Sequence, residues 1–264
     1  MEQTLKLFRL SDIFPPATHL KSDLSTPCLS HGLNHSVDFI PTSTFFLGDV
    51  PSRFIPYVKH SKPSRDLRLV IHGSAGGEVH HLFKYLVREV EHLRGTHVDL
   101  EVLTQENPKA SSSSSILLIP LFLLPGKHVQ NDIPKIFRRL SNQGIDTQLV
   151  PFLGSWPYWI STLKCFVNSR LLNENSILLH HPINSGEYGD SYLENLKRIL
   201  KIPLISWTQW REFSDNSDST YTPFPLALAP NKNTKGLRKS DSISSLLEVD
   251  LFMFNLIKIL SIMP

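Results

Sequence analysis

Leu67-Arg-Leu-Val-Ile71, followed at once by His72-Gly73-Ser74, is the stretch from which the rest of the chain can be read. A nearly unbroken apolar run closed by glycine is the pattern of a strand buried on both faces of a parallel sheet. Downstream, Val79, Leu82, Phe83, Leu86, Val87, Val90 and Leu93 recur at helical spacing, and Gly95 stands where a C-terminal cap belongs. VDLEVL (98–103) and ILLIPL (116–121) read as further buried strands joined by a polar, Ser-rich loop, and QLVPF (148–152) as a fourth. Between the last two, Asp132 is placed to cap a helix with Pro134 in its first turn, buried through Ile136, Phe137 and Leu140 and stopped near Gly144. Strands alternating with helices specify an α/β fold whose binding crevice lies at the carboxyl ends of the strands.

The same order then runs again. SILL (176–179), a helix over 188–200, PLISW (203–207), a polar loop and FPLALAP (224–230) follow one another. Pro120-Leu-Phe-Leu-Leu-Pro125 matches Pro225-Leu-Ala-Leu-Ala-Pro230 at four of six positions, and the separations His72 to Pro120 and His181 to Pro225 are 48 and 44 residues. Two copies of one α/β unit account for this, the second degraded. The expected organisation is therefore an irregular N-terminal extension over 1–65, an intact half over 66–170, and a degenerate half over 171–264. That second half ends in a packed helix, because Glu248, Asp250 and Lys258 interrupt the apolar stretch Leu246–Met263 and deny it a membrane-spanning character.

Composition narrows the function. With 264 residues, 41% hydrophobic and 19% charged, the chain is a folded domain or two, not a fibre or a low-complexity segment. The balance of 27 basic to 24 acidic residues leaves no room for a nucleic-acid footprint, only for a local basic pocket. Cys28 and Cys165 stand 137 residues apart without a CxxC, which excludes a thiolate zinc site and suits a reducing compartment. The N-terminal stretch has no signal-peptide layout and carries Glu2, Asp12, Asp23, Asp38 and Asp49, so the expected location is the cytoplasm.

The chemistry-bearing residues lie just past strand ends. His72 follows the first strand and His128 follows ILLIPLFLLPGK, so parallel strands deliver both imidazoles to one rim. Such a pair can accept protons near neutral pH or hold a divalent metal; loop histidines bonded to backbone are the plain alternative. The pairs His80-His81 and His180-His181 suggest metal storage or, more simply, surface histidines whose rings diverge. His72-Gly-Ser-Ala-Gly76 resembles a nucleophile elbow with its first glycine replaced, which would make Ser74 a hydrolase nucleophile. Gly76-Gly77 ahead of a helix could cradle a phosphate, but no Lys-Ser/Thr follows.

Three segments resemble the CbiX-type sirohydrochlorin chelatases of the wider chelatase superfamily. They are Val70-Ile-His-Gly-Ser74 with its helix, Pro120-Leu-Phe-Leu-Leu-Pro-Gly-Lys-His128-Val-Gln-Asn-Asp132-Ile-Pro134, and Val150-Pro-Phe-Leu-Gly154-Ser-Trp-Pro157. The resemblance covers about 67–165 closely and 176–240 faintly. It departs from the family at Ile71, where a Gly often stands, at Ala75, at Thr104 in place of a carboxylate, and in the Gln105–Ser115 loop that replaces a helix.

The resemblance implies two pseudo-repeated lobes and a lyase that inserts Fe2+ or Co2+, or Ni2+, into sirohydrochlorin for siroheme or cobalamin-type products. His72 and His128 would be the catalytic and metal-touching residues, with Gly73, Ser74, Gly126, Lys127 and Lys232 against the substrate. Arg138, Arg139 and Lys235 would extend a basic rim for a polyanionic macrocycle. The metal is then substrate, and no resident cofactor is expected. The second half offers His180 or His181 at the first position but Asn233 at the second, and so reads as a wall of the pocket. A monomer or homodimer without nucleic-acid or membrane partners is the expected assembly. A non-catalytic tetrapyrrole or metal carrier on the same fold is the alternative in another functional class.

Overall fold

A computed structural model describes residues 65–74, 77–105, 113–170, 176–183, 186–216, 221–235, 237 and 243–264. The expected N-terminal extension lies outside them but for Arg65. The elements in chain order are β1 (Asp66–Ile71), α1 (His81–Arg94), β2 (Val98–Val102), β3 (Ser115–Pro120), α2 (Ile133–Asn142), β4 (Asp146–Leu149) and α3 (Pro157–Arg170). They continue with β5 (Ser176–His180), α4 (Gly186–Leu200), β6 (Leu204–Ser206), α5 (Trp207–Asn216), β7 (Thr222–Pro225), the single turn α6 (Lys232–Lys235) and α7 (Asp250–Ile262).

Every strand pairing is parallel, in two sheets of order β2-β1-β3-β4 and β6-β5-β7. The first three strands of each sheet are arranged alike. Val70 pairs with Pro120 and Leu179 with Pro225, and the next amides, of Leu121 and Leu226, both donate to those strands' carbonyls, Val70 O and Leu179 O, at 2.8 Å. That register makes Pro120 and Pro225 equivalent and sets His181 opposite His72 in the repeat.

Strand alternation sends Leu67, Leu69 and Ile71 to one face of β1 and Arg68 and Val70 to the other. The first face joins Leu117, Ile119, Leu178, Phe224 and Leu226 in an apolar core shared by both sheets. Trp159, Phe166, Phe224 and Phe252 interlock there with ring centroids 5.2–5.3 Å apart. The outer faces are covered separately, by Ile133, Ile136 and Leu140 of α2 over Val70 and Leu118, and by Trp207 and Trp210 of α5 over Ile177 and Leu179.

Two helices were not legible. The segment after PLISW is α5, not a polar loop: Ser206 and Gln209 form a reciprocal cap, Gln209 Oε1 accepting from Ser206 N at 2.8 Å and Ser206 Oγ from Gln209 N at 3.3 Å. The segment after Trp156 is α3, buried on one face through Trp159, Leu163, Phe166 and Val167; Tyr158, Ile160 and Cys165 lie off that face and blur its stripe in the sequence. The strand expected over 224–230 pairs in the sheet only at Thr222–Pro225; beyond it, the Ala227 and Leu228 carbonyls accept from Leu246 and Leu247 instead. Nor does Asp132 cap a helix; it makes no capping bond, because the chain is already wound in a π turn over His128–Asp132.

One guanidinium closes the molecule. Arg94, 4% exposed, donates to the carbonyls of Leu260 and Met263 at the end of α7 (3.0 and 2.5 Å), to that of Arg65 ahead of β1 (2.8 Å), and to Thr96 Oγ1. A cation on the last carbonyls of a helix is favoured by the orphan acceptors and the helix dipole. Burial lowers the Arg94 pKa against the raising influence of Asp66. Among the described residues no helix is long and apolar enough to cross a membrane. Arg94→Met leaves three main-chain acceptors without their donor, so we expect a loss of about 2–4 kcal/mol of unfolding free energy in urea titration. A change within 0.5 kcal/mol, the usual size for surface substitutions, would show that those carbonyls find other donors.

Candidate active site

His72 sits one residue past β1, in a turn that only glycine fits. Gly73 has φ +80°, and a Cβ there would lie 2.2 Å from Val102 Cγ1 and 2.6 Å from Thr104 Oγ1. The turn is braced from the neighbouring strand end: Leu103 N donates to Ile71 O, Thr104 N to His72 O, and Thr104 Oγ1 to Ser74 O at 2.8 Å. Thr104 thus fills its departure from the family pattern with a donor to main chain, a bond an ionised carboxylate could not make.

His128 opens the π turn that precedes α2. In that turn Ile133 N reaches back five residues to His128 O, and Asp132, four residues on, comes beneath the ring. Asp132 Oδ2 lies 2.8 Å from His128 Nδ1, and Phe122 stacks on the ring at 6.0 Å with an interplanar angle of 24°. Partial burial raises the Asp132 pKa, but the hydrogen bonds from His128 and Lys135 outweigh it and hold the carboxyl below its usual range.

The structure brings His72 and His128 together, with ring centroids 4.7 Å apart at 73°. His72 Nδ1 lies 2.8 Å from Gly73 O. A carbonyl and a carboxylate can only accept, so in both rings Nδ1 carries the proton and Nε2 the lone pair. Two imidazoles with both Nε2 atoms uncommitted are equipped to take protons or to touch a divalent ion. Asp132 is the member of this group whose role the sequence concealed; its place was attributed to capping, whereas the H-x-x-x-D spacing on one helical turn was the available signal.

The other expected site residues are dispersed around this pair. Lys127 precedes His128 and is exposed, as is Lys232 of the second half. Gly126 donates its amide to Leu124 O, and nothing lies within 4 Å of where its side chain would be. Ser74 Oγ donates to Glu78 O at 3.1 Å, so its proton is turned to main chain and not to an imidazole; this weighs against a nucleophilic Ser74. Arg139 does not extend a rim. It is bound to both oxygens of Glu101 at 2.7 and 2.8 Å, and the same carboxylate takes Arg68 at 3.2 Å. The Lys235 side chain and Gly76 lie outside the described residues.

In the second half, His181 matches His72 by register, yet it is His180 that repeats the local bond, its Nδ1 lying 2.7 Å from His181 O. His180 is 6% exposed, which corrects the surface reading for that residue, while His181 is exposed as expected. Asn233 accepts a bond from Arg211 at 2.8 Å. His80 caps α1, accepting from Leu82 N. No cluster of three or more His, Cys, Asp or Glu able to hold a metal occurs among the described residues, which gives a storage role no support.

Residues 66–166, from β1 into α3, match the CbiX family model. No curated protein matches the chain. Three solved structures resemble it in fold. One is CbiX, described as the terminal enzyme of siroheme biosynthesis in denitrifying bacteria, at 14% identity and TM-score 0.46 over 65% of this chain and 82% of that one. Another is the sirohydrochlorin chelatase SirB of Bacillus subtilis subspecies spizizenii, determined with cobalt, at 15% identity and TM-score 0.47 over 75% and 95%. A multi-domain Deinococcus radiodurans protein, described as similar to chelatases, gives 14% and 0.47 over 75% of this chain and 54% of its own.

Three histidines outside the central pair contribute to the pH dependence of stability. Burial lowers the His180 pKa; burial and the charges of His72 and His180 lower that of His181, whose ring keeps a solvent-facing edge. Below about pH 6.5, the ordinary imidazole value, the unfolded chain takes protons that these rings resist, so stability falls as the pH drops. His97 works on the other side. Its bonds to Glu91 (2.6 Å) and Asp99 (3.0 Å) raise its pKa, and that stabilisation is full below 6.5 and lost as pH rises through the elevated value. Chemical denaturation at a series of pH values should show His180→Leu flattening the acid slope and His97→Gln flattening the alkaline one. Unchanged slopes in both variants would mean that neither ring titrates differently on folding.

Proposed function

We propose that this chain is a metal chelatase that places Fe2+ or Co2+ into sirohydrochlorin, with the reaction carried by its first half. The observation that supports it is the pair of imidazoles at 4.7 Å, each with Nδ1 committed and Nε2 open, within the segment that matches the CbiX family model. Inserting a divalent ion expels two pyrrole protons. His72 Nε2 and His128 Nε2 each accept one, and the same lone pairs touch the ion before it is passed to the macrocycle nitrogens. Imidazole suits that exchange, since it binds Fe2+, Co2+ or Ni2+ while holding none of them as a fixed tetrahedral cage would. The exposed amines of Lys127 and Lys232 meet the substrate's carboxylates, and Gly73, Ser74 and Gly126 let main chain approach its edge.

Residues 171–264 act in this reading as a degenerate copy of 66–170 that walls the pocket, because an amide at Asn233 takes no proton at neutral pH. We place the enzyme in the cytoplasm as a monomer or homodimer, without a resident cofactor. A carrier that holds tetrapyrrole or metal without catalysis is favoured by one observation, the Thr104 hydroxyl bonded to main chain where the family pattern has a carboxylate.

Absorbance of sirohydrochlorin with metal and purified protein separates the two: insertion faster than the spontaneous rate is the chelatase outcome, and tight binding without acceleration is the carrier outcome. His128→Ala should lower the insertion rate on the order of 10²-fold, the usual contribution of a general base. Asn233→Ala should stay within about five-fold of wild type, as expected of a group outside proton transfer. The reverse pattern would move the active half to the other copy. Competition between Fe2+, Co2+ and Ni2+ at cellular ratios then selects the ion.

A further inference from the structure

The second half reaches the His128 loop through one phenol. Tyr192, on α4, places its hydroxyl 2.8 Å from Gly154 O and 3.0 Å from Leu123 O, both main-chain acceptors of the first half. A phenol has one proton, so the two carbonyls share it. Its ring lies against Phe152 at 5.8 Å. Burial and the neighbouring Tyr188 raise its pKa, so the phenol is present as the donor.

The two acceptors are consecutive parts of one construction. Leu123 follows Phe122, whose ring stacks on His128 and whose carbonyl accepts from Gly154 N at 2.8 Å. The contact between the segments leaves no space for a side chain: a Cβ on Gly154 would lie 1.9 Å from Leu123 O. Five residues after Leu123 comes His128, reached through a turn in which Gly126 N donates to Leu124 O and Gln130 Nε2 to Pro125 O. The start of the loop is thus held from β4's side by Gly154 and from the second half by Tyr192, and its end by the Asp132 bond to the ring.

We propose that Tyr192 is a positioning residue for His128: by bonding Leu123 and Gly154 together it fixes the Phe122 platform, and this is how the degenerate half acts on the reaction of the intact one. The inference rests on the chelatase reading only in taking His128 as a reacting group. Displacement of such a group by a fraction of an ångström slows a step that depends on alignment without changing how the substrate is bound.

Tyr192→Phe keeps the ring against Phe152 and removes only the hydroxyl; Tyr188→Phe, one turn earlier and exposed, is the control. Imidazole 1H–15N correlation spectra report the His128 ring through its Asp132 bond and the Phe122 ring current, with no substrate present. In Tyr192→Phe we expect the His128 signals to move and kcat to fall about 3- to 10-fold with KM within about two-fold, the pattern of lost alignment. Tyr188→Phe should change neither. Gly154→Ala, which forces the same segments apart, should move the His128 signals in the same direction. Unmoved His128 signals in Tyr192→Phe, whether or not the thermal midpoint drops, would overturn the proposal and leave Tyr192 an ordinary packing tie. Moved signals in a protein that inserts no metal would instead overturn the chelatase reading and leave the positioning intact.

Discussion

Both sheets lean on one apolar layer, and the rest of the molecule follows from having to share it. Leu67, Leu69 and Ile71 of β1 and Leu178 of β5 face the same layer as Trp159, Phe166 and Phe252. Two small sheets of four and three strands would each bury too little alone to offset the entropy of folding. Sharing a core sets the strand ends of the first half against elements of the second. It also explains why α7, the last element of the chain, packs back on α1 and is closed there by Arg94.

The outer face of the first sheet shows a different solution. The second sheet covers its own outer face with α5, through Trp207 and Trp210. On the first sheet α2 supplies the apolar cover through Ile133, Ile136 and Leu140, and beside it Arg68, Asp99, Glu101 and Arg139 form one ion network. Arg68 and Asp99 are direct register partners across β1 and β2. A buried pair of this kind adds little net stability. Its use is to specify alignment, since a shift by one residue would strand the guanidinium.

What the sequence disclosed follows from the range of each signal. Continuous apolar runs and glycine punctuation identified β1, β3, β5 and α1, because those patterns are local and both faces of these strands are buried, whereas β4 (Asp146–Leu149) begins two residues ahead of the apolar run expected for it. The internal match of Pro120–Pro125 with Pro225–Pro230 found the repeat that the register bears out. α3 was hidden because apolar residues off its buried face, Tyr158, Ile160 and Cys165, blur the stripe, and α5 because its capping Ser206 was read into the strand before it and the residues beyond as a polar loop. At the site, the meeting of His72 with His128 was legible from topology. The bond from Asp132 was missed: the H-x-x-x-D spacing hinted at it, but the π turn that realises it is a one-residue change in winding that no periodicity announces. Arg139 was misread for another reason, a charge assigned to a basic rim when its partner stood 38 residues away in sequence.

The two imidazoles owe their orientation to acceptors of different kinds. His72 is held by a carbonyl of its own main chain, which has no protonation state and exists because Gly73 turns through positive φ. His128 is held by a carboxylate, which has one. The acceptor of the first ring therefore cannot gain a proton, whereas that of the second can, which makes the second tether an adjustable hinge. That tether loosens only once acid has neutralised a group already held below the ordinary carboxylate range. Within one cleft, evolution can retune the second histidine by changing a side chain, but it can alter the first only by rebuilding a turn.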